Sequence, residues 1–382
     1  MLKGKSWVLI FSCVFSLFLI LLPGASLTVG AFAPQATQSP SATFHSIRLL
    51  DTIKLGAGSS PGMITYDPVN RDLYVLLVGS GQVAVLDGST NQLKARIMVG
   101  GFPLGIAYDQ ANRNIYVLCA EDSTVYVINS RSNDVIATIR VGGPPSAIIY
   151  NPADRNIWEL DSQVSIISSK TNHIVKTVNA QQFPFWLAFD PANKDVYVAN
   201  VDSNSVTVIN SLSEKVVATV KVGKSPNYAA YDGSDHNMYV TNSGSDTVSV
   251  ISSVTNRILD TVRVATGPSS ATFDPKDHEM YIMNGNLARP NGTNSVSIID
   301  SENHRVIKNV QIGNIPSFAV YDSKNGDMYV LNLGEPGLTV ISSVTHETLA
   351  RIHIRDGFSG AYDPARHHVY AVDGSTVAVI SS

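Results

Sequence analysis

An aromatic residue followed by an acid or its amide recurs eight times along this chain at near-constant spacing. The copies are Tyr66-Asp67, Tyr108-Asp109, Tyr150-Asn151, Phe189-Asp190, Tyr231-Asp232, Phe273-Asp274, Tyr321-Asp322 and Tyr362-Asp363, at intervals of 42, 42, 39, 42, 42, 48 and 41 residues. A proline stands five residues earlier in seven copies (Pro61, Pro103, Pro145, Pro184, Pro226, Pro268, Pro316), and Gly357 holds that place in the eighth. A period of this length means one small supersecondary unit stacked repeatedly on itself, so the unit dictates the fold.

Apolar residues inside each unit follow a period of two, the signature of strands. The fourth unit reads Trp186-Leu-Ala-Phe189, a turn over residues 190–195, Val196-Tyr-Val-Ala-Asn200, Val206-Thr-Val-Ile-Asn210 and Val216-Val-Ala-Thr-Val-Lys-Val222 before Gly223. Asn, Asp, Ser, Gly and Pro gather between these runs, each favouring a turn for its own backbone reason. Four antiparallel strands in about 42 residues make one propeller blade. The reading is all-β: an eight-bladed β-propeller of four-stranded antiparallel blades, with seven blades as the alternative. The second strand carries an aromatic in every unit (Tyr74, Tyr116, Trp158, Tyr197, Tyr239, Tyr281, Tyr329, Tyr370). Such uniformity predicts packing between blades, since a ligand site is local whereas stacking is required everywhere.

The segments Tyr197-Val-Ala-Asn200, Tyr239-Val-Thr-Asn242 and Tyr329-Val-Leu-Asn332, with Val206-Thr-Val-Ile-Asn210 and Val216 to Gly223, resemble the YVTN β-propeller repeat. That repeat occurs in surface-layer-type and exported propellers of archaea and bacteria. The resemblance runs from about Ile47 to Ser382 and implies the fold together with a role as scaffold or binding surface. The third copy departs from it, reading Trp158-Glu159-Leu160 before a shortened loop. No blade has the Gly-His and Trp-Asp pairs of WD40 repeats.

The chain stops after Val377-Ala-Val-Ile-Ser381, a third strand with no fourth behind it, while Leu49-Leu-Asp-Thr-Ile-Lys-Leu-Gly56 matches the fourth-strand pattern. The N-terminal strand is therefore expected to complete the last blade, which removes an open sheet edge. Residues 47–382 number 336, eight times 42. Ahead of them, Lys3 and Lys5 precede an apolar run from Trp7 to Leu22 and a Pro23-Gly24 break, which reads as an export signal over residues 1–31 or an uncleaved N-terminal anchor. Residues 32–46 read as a flexible linker. The expected location is secreted or extracytoplasmic, or anchored at the cell surface, with the membrane engaged only through that N-terminal segment.

Only Cys13, in the signal, and Cys119 are present, which excludes a disulfide within the mature chain and cysteine-based zinc or c-type haem sites. Without residues 1–31 the chain has 25 basic and 31 acidic residues, a net charge of −6; that argues against nucleic acid as partner. His236, His278 and His367 occupy equivalent first-to-second turns, and His173, His304 and His346 equivalent third-to-fourth turns. Spread around a ring, they read as solvated turn residues, and no metal site is expected. No Gly-x-Ser-x-Gly elbow, zincin motif or phosphate loop occurs. The expectation is a protein without catalytic residues or cofactor, not an enzyme, that binds a protein, glycan or small ligand at the channel mouth. The rivals are a propeller enzyme (lactonase-like or dehydrogenase-subunit-like) and a structural surface-layer component.

Two departures from the repeat fall on the face that carries the fourth-to-first and second-to-third connections, here the upper face. Aromatics cluster near the central prolines: Phe102, Phe183, Phe185, Trp186, Tyr228, Phe318 and Phe358. Of these, Phe183, Phe185, Trp186, Tyr228 and Phe318 are the candidate stacking site for an apolar or sugar ring; the plain alternative is bulk filling a wide channel. The second-to-third loops also carry Glu121, Asp122, Asp161, Asp202, Asp246, Glu335 and Asp373. Together these predict a negative rim that favours cationic ligands or weak divalent binding; separately each is a solubilising carboxylate. The longest insertion, residues 284–294, holds the sequon Asn291-Gly-Thr, a glycosylation candidate on an exported chain.

Overall fold

The computed structural model of the protein describes residues 47–285 and 293–382. The signal, the linker and Asn291 lie outside the described residues.

Eight sheets of four antiparallel strands form the ring. Blades 1 to 7 begin at Pro61, Pro103, Ala147, Pro184, Pro226, Pro268 and Pro316, each inner strand being followed outward by its three successors. Blade 4 shows the unit: Pro184–Asp190, Asp195–Asn200, Ser205–Asn210 and Lys215–Lys221. Blade 8 takes Gly357–Asp363, His368–Asp373 and Thr376–Ser381 from the C-terminus, and Leu49–Lys54 pairs antiparallel with the last of these as the outermost strand. The eight-blade reading and the N-terminal clasp both hold. Inside the clasp Ile53 and Leu55 are buried in the joint between blades 8 and 1.

The core is eight hydrophobic clusters, one at each joint between neighbouring blades. The second-strand aromatic is fully buried in all eight blades. In blades 1, 2 and 4 its polar tip ties that blade to the next: the hydroxyls of Tyr74, Tyr116 and Tyr197 donate to Oδ1 of Asn133, Asn172 and Asn256 at 3.0, 2.9 and 2.8 Å. Tyr370 closes the ring in the same way on Asn91 at 2.9 Å. A buried ring whose one polar atom is satisfied adds area without leaving an unpaired group.

The acid of the opening motif is structural too. Asp67, Asp109, Asp190, Asp274, Asp322 and Asp363 are fully buried, and each Oδ1 accepts the N–H two residues on, as Val69 at 2.9 Å and Ala192 at 2.8 Å illustrate. This Asx turn fixes the reversal into the second strand. The asparagine ending the YVTN-like strand does the same for the next hairpin. Asn200 Nδ2 donates to the Val198 carbonyl at 3.2 Å and to Thr207 Oγ1 at 3.0 Å, and Asn284 repeats this on Ile282 and Ser297.

Candidate functional site at the upper channel mouth

Each inner strand starts at the upper face, where the residues two beyond the proline position are Met63, Gly105, Ala147, Trp186, Tyr228, Ser270, Phe318 and Ser359. Their orientation follows from a bulge that shifts the register between Pro184 and Trp186, with the same shift between Pro226 and Tyr228 and between Pro316 and Phe318. A bulge re-aims the side chains beside it. In blade 6 these positions are hydroxyls spent on the next inner strand: Ser270 donates to the Ser317 carbonyl at 2.8 Å and Thr272 to the Ala319 carbonyl at 3.2 Å. Blades 4 and 5 present rings instead.

Trp186 and Tyr228 stack across the joint between blades 4 and 5, centroids 4.4 Å apart and planes 26° from parallel. Offset stacking at this distance suits ring quadrupoles. Both rings are half-buried, Trp186 against the joint between blades 4 and 5 and Tyr228 against that between blades 5 and 6. Burial alone pushes the Tyr228 phenol up to about 12, and its hydroxyl makes no hydrogen bond among the described residues. A half-buried phenol whose donor meets no acceptor among the described residues can donate to a ligand. Beside it, Asn227 Nδ2 donates to the Ser269 carbonyl at 3.3 Å and its Oδ1 accepts from Thr241 Oγ1 at 2.8 Å.

The other aromatics do not all join this pair. Phe185 is the bulge residue and half-buried; Phe183, with a left-handed backbone at φ 55°, directs its carbonyl to the Val201 N–H at 2.9 Å. Phe318 packs into the joint between blades 7 and 8, three blades away, and no ring contact links it to the pair. Left-handed backbone also occurs at Phe102 and Ile315, so bulky residues bear strain around this mouth.

The acidic rim is distributed rather than convergent. Asp161 is buried and accepts the Gln163 N–H at 2.7 Å; Asp122 accepts from the Tyr126 hydroxyl at 2.9 Å. Asp246 accepts the Gly267 N–H at 3.0 Å, Asp373 the Arg355 N–H at 2.6 Å, and Glu335 pairs with His353 at 3.0 Å. Glu121 and Asp202 are exposed. Among the described residues no three His, Cys, Asp or Glu side chains gather as a metal site would need.

Two histidines differ from the solvated-turn reading. His304 Nε2 pairs with Asp235 at 3.2 Å and His346 Nε2 with Glu279 at 2.9 Å, each half-buried and each bridging neighbouring blades. The alternation of strands hid this, because the partner lies more than 60 residues away. Sequence reasoning noted Glu159 as a departure from the repeat but gave it no role; it occupies a position filled by Val75, Val117, Val198, Val240, Ile282, Val330 and Ala371 in the other blades. It is fully buried, neither carboxylate oxygen has a hydrogen bond of good geometry among the described residues, and burial followed by the charge of Asp161 pushes it up to about 9, opposed by the nearby Ser165 hydroxyl.

No family model matches the sequence, and no curated protein does either. Among solved structures, Kuenenia stuttgartiensis hydrazine synthase superposes with a TM-score of 0.58 at 17% identity, covering 86% of this chain and 97% of that one. Dihydro-heme d1 dehydrogenase NirN, solved in complex with DHE, gives a TM-score of 0.67 at 14% identity, over 77% of this chain and 66% of that one. At such identities the likeness shows the propeller fold alone. It nonetheless overturns the expectation that the chain is not an enzyme: that expectation rested on missing catalytic motifs, and both similar propellers carry the names of enzymes.

Proposed function

We propose that the chain is an extracytoplasmic, YVTN-type binding propeller, exported by residues 1–31, whose ligand lies against the Trp186–Tyr228 pair at the upper mouth. The observation that carries this reading is the stack itself, 4.4 Å between centroids with a phenol that makes no hydrogen bond among the described residues, at a position where five of the other blades have Met, Gly, Ala or Ser. Flat apolar faces suit it, as in a pyranose ring or a small aromatic, with the phenol selecting an acceptor. The acids of the upper turns, set against Lys224 and Arg355 among the described residues, favour a ligand without net negative charge.

A panel of neutral oligosaccharides and small aromatics, read by calorimetry and by tryptophan fluorescence, tests this. Trp186→Ala is expected to weaken the best binder at least about tenfold, as loss of one stacking face implies. Tyr228→Phe should remove the preference for ligands bearing an acceptor while the melting temperature holds. Undiminished binding by both variants, or a collapse of the fold in both, would assign the pair to channel filling instead. The second reading, a propeller that belongs to an enzyme, is favoured by the names of the two similar structures, and turnover of a panel hit would establish it.

A further inference from the structure

The lower face, opposite the aromatic mouth, holds a cluster of cations that neither packing nor the upper site uses. In blades 1 to 3 its turns carry Arg71, Arg113, Arg131, Arg155 and Lys170, against the two acids Asp134 and Asp154. Asp154 is occupied: its Oδ2 accepts the Trp158 indole N–H at 2.8 Å. The places matching Arg131 in blades 4 to 7 are Leu212, Val254, Glu302 and Val344, so the double cation belongs to this arc and not to the repeat.

A cleft of about 370 Å³ opens at its centre, lined by Ala111, Asn112, Arg113, Asn129 and Arg131. Its frame is rigid. Asn112 Nδ2 donates to the Ser169 carbonyl of blade 3 at 2.9 Å, and its Oδ1 accepts the Asn114 N–H at 2.9 Å. Asn129 Oδ1 accepts the N–H groups of Arg131 and Ser132 at 3.0 and 3.2 Å. Arg113 sits at a left-handed φ of 63°, its N–H on the Asp109 carbonyl at 2.8 Å and its own carbonyl accepting from Ser130 at 3.3 Å. Backbone and amides are thus committed, whereas the guanidinium groups of Arg113 and Arg131 have no hydrogen bond or ion pair among the described residues. The acids nearby do not pair with them: Asp109 is buried with Oδ1 accepting the Ala111 and Asn112 N–H groups, and Asp134 forms no ion pair among the described residues.

We propose that this cleft binds a compact oxyanion (phosphate, sulfate or a carboxylate) between Arg113 and Arg131. A guanidinium offers paired N–H donors in a planar fork that fits two oxygens of such a group. Two cations lining one cleft also repel each other, and an anion between them relieves that repulsion. The proposal is independent of the upper site, which lies on the opposite face.

Inorganic phosphate titrated into the full chain at low ionic strength, followed by calorimetry and thermal shift, tests it, with citrate as the carboxylate probe and sodium chloride at matched ionic strength as the control. Arg131→Gln, at an exposed position, is expected to weaken phosphate at least about tenfold, the loss of one charged hydrogen-bonded pair. Arg113→Gln together with Arg131→Gln should abolish binding, and Lys194→Gln, outside the cleft, should leave it unchanged. The proposal is overturned if wild type binds neither phosphate nor citrate, if chloride competes equally with phosphate, or if Arg131→Gln binds as tightly as wild type.

Discussion

Glu159 makes a sharp thermodynamic statement. Its carboxyl is fully buried in the second strand of blade 3, with no hydrogen bond of good geometry on either oxygen among the described residues, and is pushed from an ordinary 4.5 up to about 9. The folded protein therefore keeps a proton that the unfolded chain gives up above about pH 4.5. A group raised on folding contributes stability fully present below its unfolded value and lost as pH climbs to its folded value. From pH 5 to 9 this one residue lowers stability by about 1.4 kcal/mol per unit, roughly 3 kcal/mol by pH 7 as an upper limit, because water penetration softens such penalties. Replacing it with the valine found at this position in five other blades removes the titration and keeps the strand apolar. Urea midpoints for wild type and Glu159→Val, taken at unit steps from pH 5 to 9, should show a gap that widens steadily with pH in favour of the variant. Glu159→Gln, equally unable to ionise, should flatten the profile as well. Parallel profiles would refute the reasoning, since they would mean that the carboxyl ionises as freely folded as unfolded.

Deleting residues 47–56 removes the fourth strand of blade 8 with buried Ile53 and Leu55, a loss of about 1.5–3 kcal/mol per side chain before the ladder is counted. Calorimetry should find a sharply lower melting temperature, and an unchanged melt would contradict the clasp. The Cys119 thiol is fully buried, and burial pushes it up to about 12. An aromatic disulfide reagent should leave it unmodified in the native protein and label it promptly in denaturant.

Blade number, strand order and the borrowed strand were all legible because each follows from the period of the apolar pattern, which a repeat states eight times over. The buried second-strand aromatics were legible for the same reason. The site was legible only as a list of exceptions. Nothing in sequence separates Trp186 and Tyr228, which meet face to face, from Phe318, which turns into another joint, because the register of a bulge and the curvature of the ring decide who meets. Glu159 was visible as an irregular letter within a familiar motif, yet its burial depends on which side of its strand faces blade 2. The pairs His304–Asp235 and His346–Glu279 bring together turns of adjacent blades, a relation invisible to any reading of one unit. The absence of catalytic signatures was the weakest ground, because residues that act together in a propeller come from different blades and leave no local motif.

The strand shared between the chain's two ends makes the number of blades a collective property. Eight sheets divide the circle into wedges of about 45°, and a ninth would need every joint to close to about 40°, repacking all eight clusters at once. Open repeat arrays grow or shrink at their ends, where a new unit meets one neighbour; this ring has no end at which to do so. Duplication of one unit is thus penalised everywhere, whereas moving the chain's opening from blade 8 to another turn alters no wedge at all. Joining Ser382 to Ile47 and reopening the chain elsewhere should yield the same disc, with the termini presented at whichever rim an engineer or a lineage prefers.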